Sequence, residues 1–216
     1  MSSRGRAAAD AVNASRRRSS RGPPISDNSA ASTSHGVADV SSKRQQMLRV
    51  KVLSMGDAAV GKSCIIKRYC EERFVSKYIS TIGIDYGVKP ASVGGRDVRV
   101  NFWDMSGSEA FFEVRNEFYK DASGAILVYD VASRASFDSL PKWLEEARKY
   151  GAGNDIPIML CANKVDKKRT VLEAEGVAFA AANGLQHWEI SAQSGMNTGE
   201  VFEALFKEIL ARPPVG

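Results

Sequence analysis

Histidine and cysteine, the usual nitrogen and sulfur ligands of structural metals, number only two and three in this 216-residue chain. Cys64, Cys70 and Cys161 are odd in number and lack the close, paired spacing of a zinc site. They read as buried, reduced intracellular thiols rather than a disulfide framework. No apolar run approaches the about 18 residues that a membrane-spanning helix needs. Ser2 stands where N-myristoylation requires glycine, and the run from Ala211 to Gly216 holds no cysteine for prenylation. The N-terminus has no apolar core of the kind found in secretory signals. These absences lead us to expect no lipid anchor and at most a peripheral contact with membranes.

Charge of either sign is scarce in excess beyond the first 47 residues. That stretch holds eight Lys/Arg against three Asp/Glu, whereas the remainder holds 22 of each sign and is neutral. The net charge of +5 therefore belongs to the leading segment, and the rest has no basic face suited to specific nucleic-acid binding. Residues 1–47 are rich in Ser, Ala and Arg and nearly empty of large apolar side chains. Such a segment cannot bury enough surface to offset chain entropy, so disorder is expected there. Arg16, Arg17, Arg18 and Arg21 form a basic cluster that reads as a solvated tail or as a weak contact for an acidic lipid, nucleic-acid or protein surface. Arg4 and Arg6 in a serine-rich, acid-poor start also fit a transit peptide.

What the chain does have is a complete G-x-x-x-x-G-K-[ST] phosphate loop, Gly56 to Ser63. It follows an alternating apolar run, Leu48 to Met55, and precedes a helix-forming stretch from Cys64 to Tyr69. Strand, glycine loop and helix are the context this motif needs. Glycines let the backbone wrap closely around a polyphosphate, while successive N–H groups and the helix N-terminus face its charge. Asp57, Ala58, Ala59, Val60, Gly61, Lys62, Ser63 and Cys64 are thus expected around the phosphates. Lys62 would reach the β- and γ-phosphates, and the Ser63 hydroxyl would ligate Mg²⁺.

From Leu48 onward strands and helices alternate. Ile84–Val93 and Asp97–Trp103 read as strands joined by a hairpin at Gly94-Gly95, with Pro90 arguing for an edge position. Gly124–Asp130 and Ile156–Ala162 read as buried parallel strands, and His187–Ile190 as a short last strand. Helices are expected from Pro141 to about Tyr150 with Ser139 as N-cap, from Val171 to Ala182, and from Gly199 to Leu210. The fold class is α/β: a P-loop NTPase sheet over residues 48–212. This six-stranded, doubly wound sheet is mostly parallel, with one antiparallel hairpin strand.

The phosphate loop alone does not name a base. Asn163-Lys164-Val165-Asp166 does, because a carboxylate accepts both the N1–H and the exocyclic amine of guanine and would be left unpaired against adenine. Asn163 and the Lys164 stem would hold the base and its loop. Ser191-Ala192-Gln193 would offer the Ala192 N–H to the guanine carbonyl.

Several runs now line up with a known family. Phe74 precedes Thr81-Ile82-Gly83 by seven residues, and Ile82 to Tyr86, Trp103 to Gly107, Glu117 to Gly124 and Leu127 to Asp130 follow one pattern. Over residues 48 to about 210 the chain resembles a Ras-superfamily small GTPase of the Rab branch. The runs Ser63–Cys70, Arg73–Tyr78 and Phe112–Asp121 are similar to its Rbj (RJL) group. In animals that group carries a J domain. A J domain needs His-Pro-Asp, yet the histidines here precede Gly36 and Trp188, so no co-chaperone role is expected.

The resemblance implies that Thr81 closes on Mg²⁺ and the γ-phosphate, and that Asp104 holds the metal through water. It implies that the Gly107 N–H senses the γ-phosphate, that Phe74 packs across guanine, and that Tyr78 covers the phosphates. It further implies a small-GTPase G domain over residues 48–212, a cytoplasmic monomer without prenylation that works with an effector, an exchange factor and a GTPase-activating protein. Lineages with flagella, and so a ciliary or basal-body role, also come with the resemblance.

The pattern breaks at Ser108, which stands where the family has the glutamine that orients the attacking water. Serine is shorter and has no amide to bridge water and transition state, and in-line hydrolysis depends on that positioning. Ala58 and Ala59 replace glycines of a Ras-type loop and would crowd the γ-phosphate and an inserted arginine finger. Binding groups are intact, so the expectation is a GTP/GDP switch with slow hydrolysis, in which Lys62, Gly107 and Ser108 are the groups nearest the chemistry. The rival readings are a nucleotide-bound scaffold that never cycles and an ATP-dependent phosphotransferase.

Overall fold

The computed structural model describes residues 47–152 and 156–212. The expectations for residues 1–46 lie outside the described residues. Strands β1 (Leu48–Met55), β2 (Ile84–Val93), β3 (Arg96–Met105), β4 (Gly124–Asp130), β5 (Ile158–Asn163) and β6 (Gln186–Glu189) form one sheet in the order β2-β3-β1-β4-β5-β6. All neighbours are parallel except β2 and β3. The helices are α1 (Lys62–Glu71), α2 (Phe112–Asn116), α3 (Arg134–Asp138), α4 (Leu140–Lys149), α5 (Glu173–Asn183) and α6 (Thr198–Ala211). No described helix is long and apolar enough to cross a membrane.

Side chains on β4 show how the two faces are filled. Ala125, Leu127 and Tyr129 join one apolar cluster with Leu140, Trp143 and Leu144 of α4. Ile126 and Val128 join the other with Ile65 of α1 and with Val201, Phe202, Leu205 and Phe206 of α6. Because successive strand residues point to opposite faces, a strand covered on both sides reads as one unbroken apolar run. The β2–β3 turn needs left-handed backbone at both central residues, and Gly94 and Gly95 supply φ values of 57° and 76°. Pro90 lies on the edge strand, where its missing N–H breaks no ladder on the open side.

Strand order reverses at β1, so the loops after β1 and β4 diverge there and open a crevice at the carboxyl ends of the strands. The phosphate loop occupies that point. Several local expectations need correction. β5 begins at Ile158 rather than Ile156, since Pro157 has no N–H and only its carbonyl pairs, accepting from Ala125 at 3.0 Å. Ser139 stands at the start of α4, but its hydroxyl donates to the Ser136 carbonyl at 3.0 Å and caps nothing. α5 begins at Glu173, where the Glu175 carboxylate accepts the Leu172 N–H at 2.9 Å. The short helices α2 and α3, five residues each, were not foreseen, because one turn carries too little periodicity to stand out.

Phe202 is fully buried, with ring centroids 4.6 Å from Tyr69 and 5.3 Å from Phe102. Phe202→Ala should cost about 3–5 kcal/mol in urea unfolding, the range for deleting a buried aromatic. A loss below about 1 kcal/mol would show that this face of the sheet is not packed as described.

Candidate functional site

Each glycine of the phosphate loop has a steric reason. Gly56 has φ 130° and Gly61 has φ 103°, and neither tolerates a side chain. A Cβ on Gly56 would collide with the Val128 carbonyl, and one on Gly61 with the Asn163 amide. The loop curls over its own lysine. Lys62 Nζ donates to the carbonyls of Gly56 at 2.7 Å and Asp57 at 2.8 Å. Lys62 is only 5% exposed, and burial pulls its pKa down to about 8, with Asp104 and Asp57 opposing the shift.

Ser63, Thr81 and Asp104 come together although they stand on α1, the loop before β2, and β3. Ser63 Oγ donates to Asp104 Oδ2 and lies 3.1 Å from Thr81 Oγ1. Ser54, fully buried in β1, donates to Asp104 Oδ1 at 2.7 Å and fixes the carboxylate from behind. This set of one carboxylate and two hydroxyls suits a hard cation, and Mg²⁺ is commonly held by such a sparse protein set together with substrate phosphates. Among the described residues no group of three His, Cys, Asp or Glu could form an all-protein metal cage.

The loop after β5 is bolted to the phosphate loop. Asn163 Nδ2 donates to the Val60 carbonyl at 2.8 Å, and Lys164 Nζ donates to the Ala59 carbonyl at 2.7 Å. Lys164 Nζ also pairs with Asp130 Oδ2 at 2.7 Å, at the end of β4. Asp166 is exposed, with Oδ1 fixed by the Ser191 hydroxyl at 2.5 Å. Between these loops lies a cavity of about 300 Å³. Ala58, Ala59, Gly61, Lys62, Ser63, Cys64, Phe74, Tyr78, Thr81, Gly107, Asn163, Lys164, Asp166, Ala192 and Gln193 all line it.

Some expected residues stand elsewhere. The Asp57 carboxylate accepts Trp143 Nε1–H at 2.8 Å, so its side chain serves α4 and only its backbone belongs to the loop. Val60 is buried and acts through its carbonyl, while Ser191 lies beneath Asp166. Asn163 has both ends of its amide occupied by protein, because Oδ1 accepts the Ala192 N–H at 3.2 Å. That N–H, expected to face the guanine carbonyl, instead ties two loops together. Ser108 does not line the cavity, and its hydroxyl accepts the Ala110 N–H at 3.3 Å, capping the 3₁₀ turn Glu109–Phe111.

The model of the Ras family matches residues 51–211. The chain belongs to the Ras family. It is 52% identical over 173 residues to DnaJ homolog subfamily C member 27 of Danio rerio, covering 77% of this chain and 63% of that protein. The Homo sapiens protein of that name is 52% identical over 169 residues, covering 76% and 62%. The chain thus spans a little over three-fifths of the length of these relatives. In this Ras-family domain, sequence reasoning missed Ser54, whose signal was a lone hydroxyl in an apolar strand. It also missed the aromatic row of exposed Tyr86 and half-buried Trp103 and Phe118, with centroids 4.8 and 4.9 Å apart. Only its antiparallel pairing, Tyr86 against Trp103, brings that row together.

Gly61→Ala should lower stability by about 1–3 kcal/mol in urea titration, because it combines a strained φ with a collision at Asn163. An unchanged midpoint would show that the phosphate loop and Asn163 are not locked together.

Proposed function

We propose that this chain is a guanine-nucleotide switch that binds GTP and GDP with Mg²⁺, hydrolyses GTP slowly, and signals by effector binding through its two switch loops. The observation that carries the reading is the fastening of the Asn163–Asp166 loop onto the phosphate loop through Val60 and Ala59, with the cavity between them. One loop suits a polyphosphate and the other suits a guanine edge. Ser63, Thr81 and Asp104 would hold Mg²⁺, which neutralises charge on the β- and γ-phosphates. Lys62 would turn from the Gly56 and Asp57 carbonyls toward those phosphates. The Gly107 N–H would follow the γ-phosphate and carry its presence into the loop before α2.

Slow hydrolysis follows from what Ser108 does. Its hydroxyl is engaged as a turn cap, and residue 108 has no amide to orient water. Ala58 and Ala59 line the cavity, and their methyls would crowd a γ-phosphate where a Ras-type loop has glycines. The same observation favours, as a second reading, a nucleotide-bound scaffold that does not cycle. Ile79 and Ile82 are 72% and 81% exposed and flank Thr81, and Val114 is 48% exposed, which suits an apolar effector surface near Tyr86. Effector, exchange factor and GTPase-activating protein are partners this reading requires. We further propose a cytoplasmic monomer with a ciliary association and with at most salt-sensitive membrane contact through residues 1–47.

Asp166→Asn should lose at least ~2 kcal/mol of GTP affinity, the order of a hydrogen bond to a charged group, and gain xanthosine triphosphate. Equal competition by ATP and GTP for the native chain would contradict the base assignment. In single-turnover assays the native chain should hydrolyse GTP at or below roughly 10⁻⁴ s⁻¹, the unaided level of a Ras-type site that has its glutamine. Ser108→Gln should raise that rate without changing GTP affinity, since the amide acts on water and transition state. No gain would mean that another group positions the water.

A further inference from the structure

Arg115 is fully buried, and a guanidinium cannot shed its charge, so every contact it makes must compensate for lost water. Nε and Nη2 donate to the two oxygens of Glu146 at 2.5 and 2.8 Å, a bidentate pair. Tyr119 OH donates to the same carboxylate at 2.8 Å. The third arm, Nη1, donates to the Ser108 carbonyl at 2.8 Å. The guanidinium also lies 4.5 Å from the ring centroid of Trp143. Trp143 Nε1 donates in turn to Asp57 Oδ1 at 2.8 Å.

These contacts close a ring beneath the phosphate end of the cavity. Asp57 carries the carbonyl that receives Lys62, at 2.8 Å. Gly107, next to Ser108, packs so closely on the Asp57–Ala58 backbone that a Cβ there would collide with it. Neither Trp143, Arg115 nor Glu146 lines the cavity. An apolar trio of the same volume would fill this space with no desolvation cost, so packing alone gives no reason for three directed polar groups. The Trp143 donor ends on Asp57 and one arm of Arg115 on the Ser108 carbonyl, the two walls between which a γ-phosphate would sit, while Glu146 and Tyr119 hold the guanidinium in place.

We propose that Trp143 and Arg115 are positioning residues for the γ-phosphate end of the site. Trp143 sets the phosphate loop through Asp57, Arg115 sets Gly107 and Ser108 through the Ser108 carbonyl, and the stacking between them makes the two settings interdependent. This rests on the guanine-nucleotide reading above. A diphosphate does not reach between the two walls, so the ring acts on GTP more than on GDP.

The test is a double-mutant cycle on Trp143→Phe and Asp57→Ala, read as the ratio of affinities for GDP and a non-hydrolysable GTP analogue. Trp143→Phe keeps an aromatic ring beneath Arg115 while removing the donor and some core volume, so the thermal midpoint is followed alongside. Each single change should reduce the preference for the triphosphate by about fivefold, the lower range of a site-to-site coupling, and the double change should be no worse than either. Multiplying effects, or equal losses for both nucleotides that track the thermal midpoint, would overturn the proposal. Arg115→Lys keeps the charge but cannot reach Glu146 and Ser108 at once. It should alter single-turnover hydrolysis by about fivefold or more at constant GDP affinity, and an unchanged rate would also count against the proposal. If Arg115→Lys does not fold, the Trp143–Asp57 cycle decides alone. A native chain that prefers neither GTP nor GDP over ATP overturns the nucleotide reading itself. A native chain that does, with variants unchanged in their ratio, overturns only the positioning role.

Discussion

The amide of Asn163 is the constraint on which the site depends. One side chain, 1% exposed, holds the phosphate loop through the Val60 carbonyl and the last loop through the Ala192 N–H. Lys164 adds a parallel tie to Ala59 and anchors it on Asp130. Three strand ends, those of β1, β4 and β5, are thereby held at fixed separation. Without these ties a phosphate-binding loop and a base-reading loop would be two independent features on one sheet edge. Buried amides of this kind are costly when half satisfied, and both ends of this one are satisfied.

From that joint the rest of the site follows by proximity. Gly61 must lack a side chain because the Asn163 amide lies where its Cβ would point. Lys62, the next residue, is then carried under the loop, where burial weakens its proton affinity. Ser63 falls beside Asp104, which Ser54 holds in place from β1. The binding groups are therefore rigidly supported, whereas residue 108 is tied up by its own surroundings, its carbonyl by Arg115 and its hydroxyl by the Ala110 N–H. Strong support for binding and none for water is the physical basis of the proposed switch.

Motifs whose chemistry is local were legible in the sequence. The phosphate loop, the Asn163–Asp166 run and the Gly94-Gly95 hairpin each specify backbone geometry within a few residues, and the sheet has the expected order of strand types. The roles of individual polar atoms were less legible, because partners far apart in sequence decide them. Asp57 was read as a phosphate-loop residue, but its carboxylate answers to Trp143, 86 residues away. The Ala192 N–H was read as facing a base, but Asn163 reaches it first. Arg115 and Glu146 lie in charged runs that look solvent-facing, and only the packing of α2 on α4 reveals that both are buried. Ser108 was visible as a departure from the family pattern, while its use as a turn cap required the structure.

The most direct measurement is the nucleotide carried by the native chain. Protein purified without added nucleotide is denatured, and the released bases and phosphates are separated and quantified. The account predicts guanine nucleotide in near-stoichiometric amount, with a substantial share still GTP because hydrolysis is slow. Empty protein, or adenine nucleotide in that amount, would contradict it.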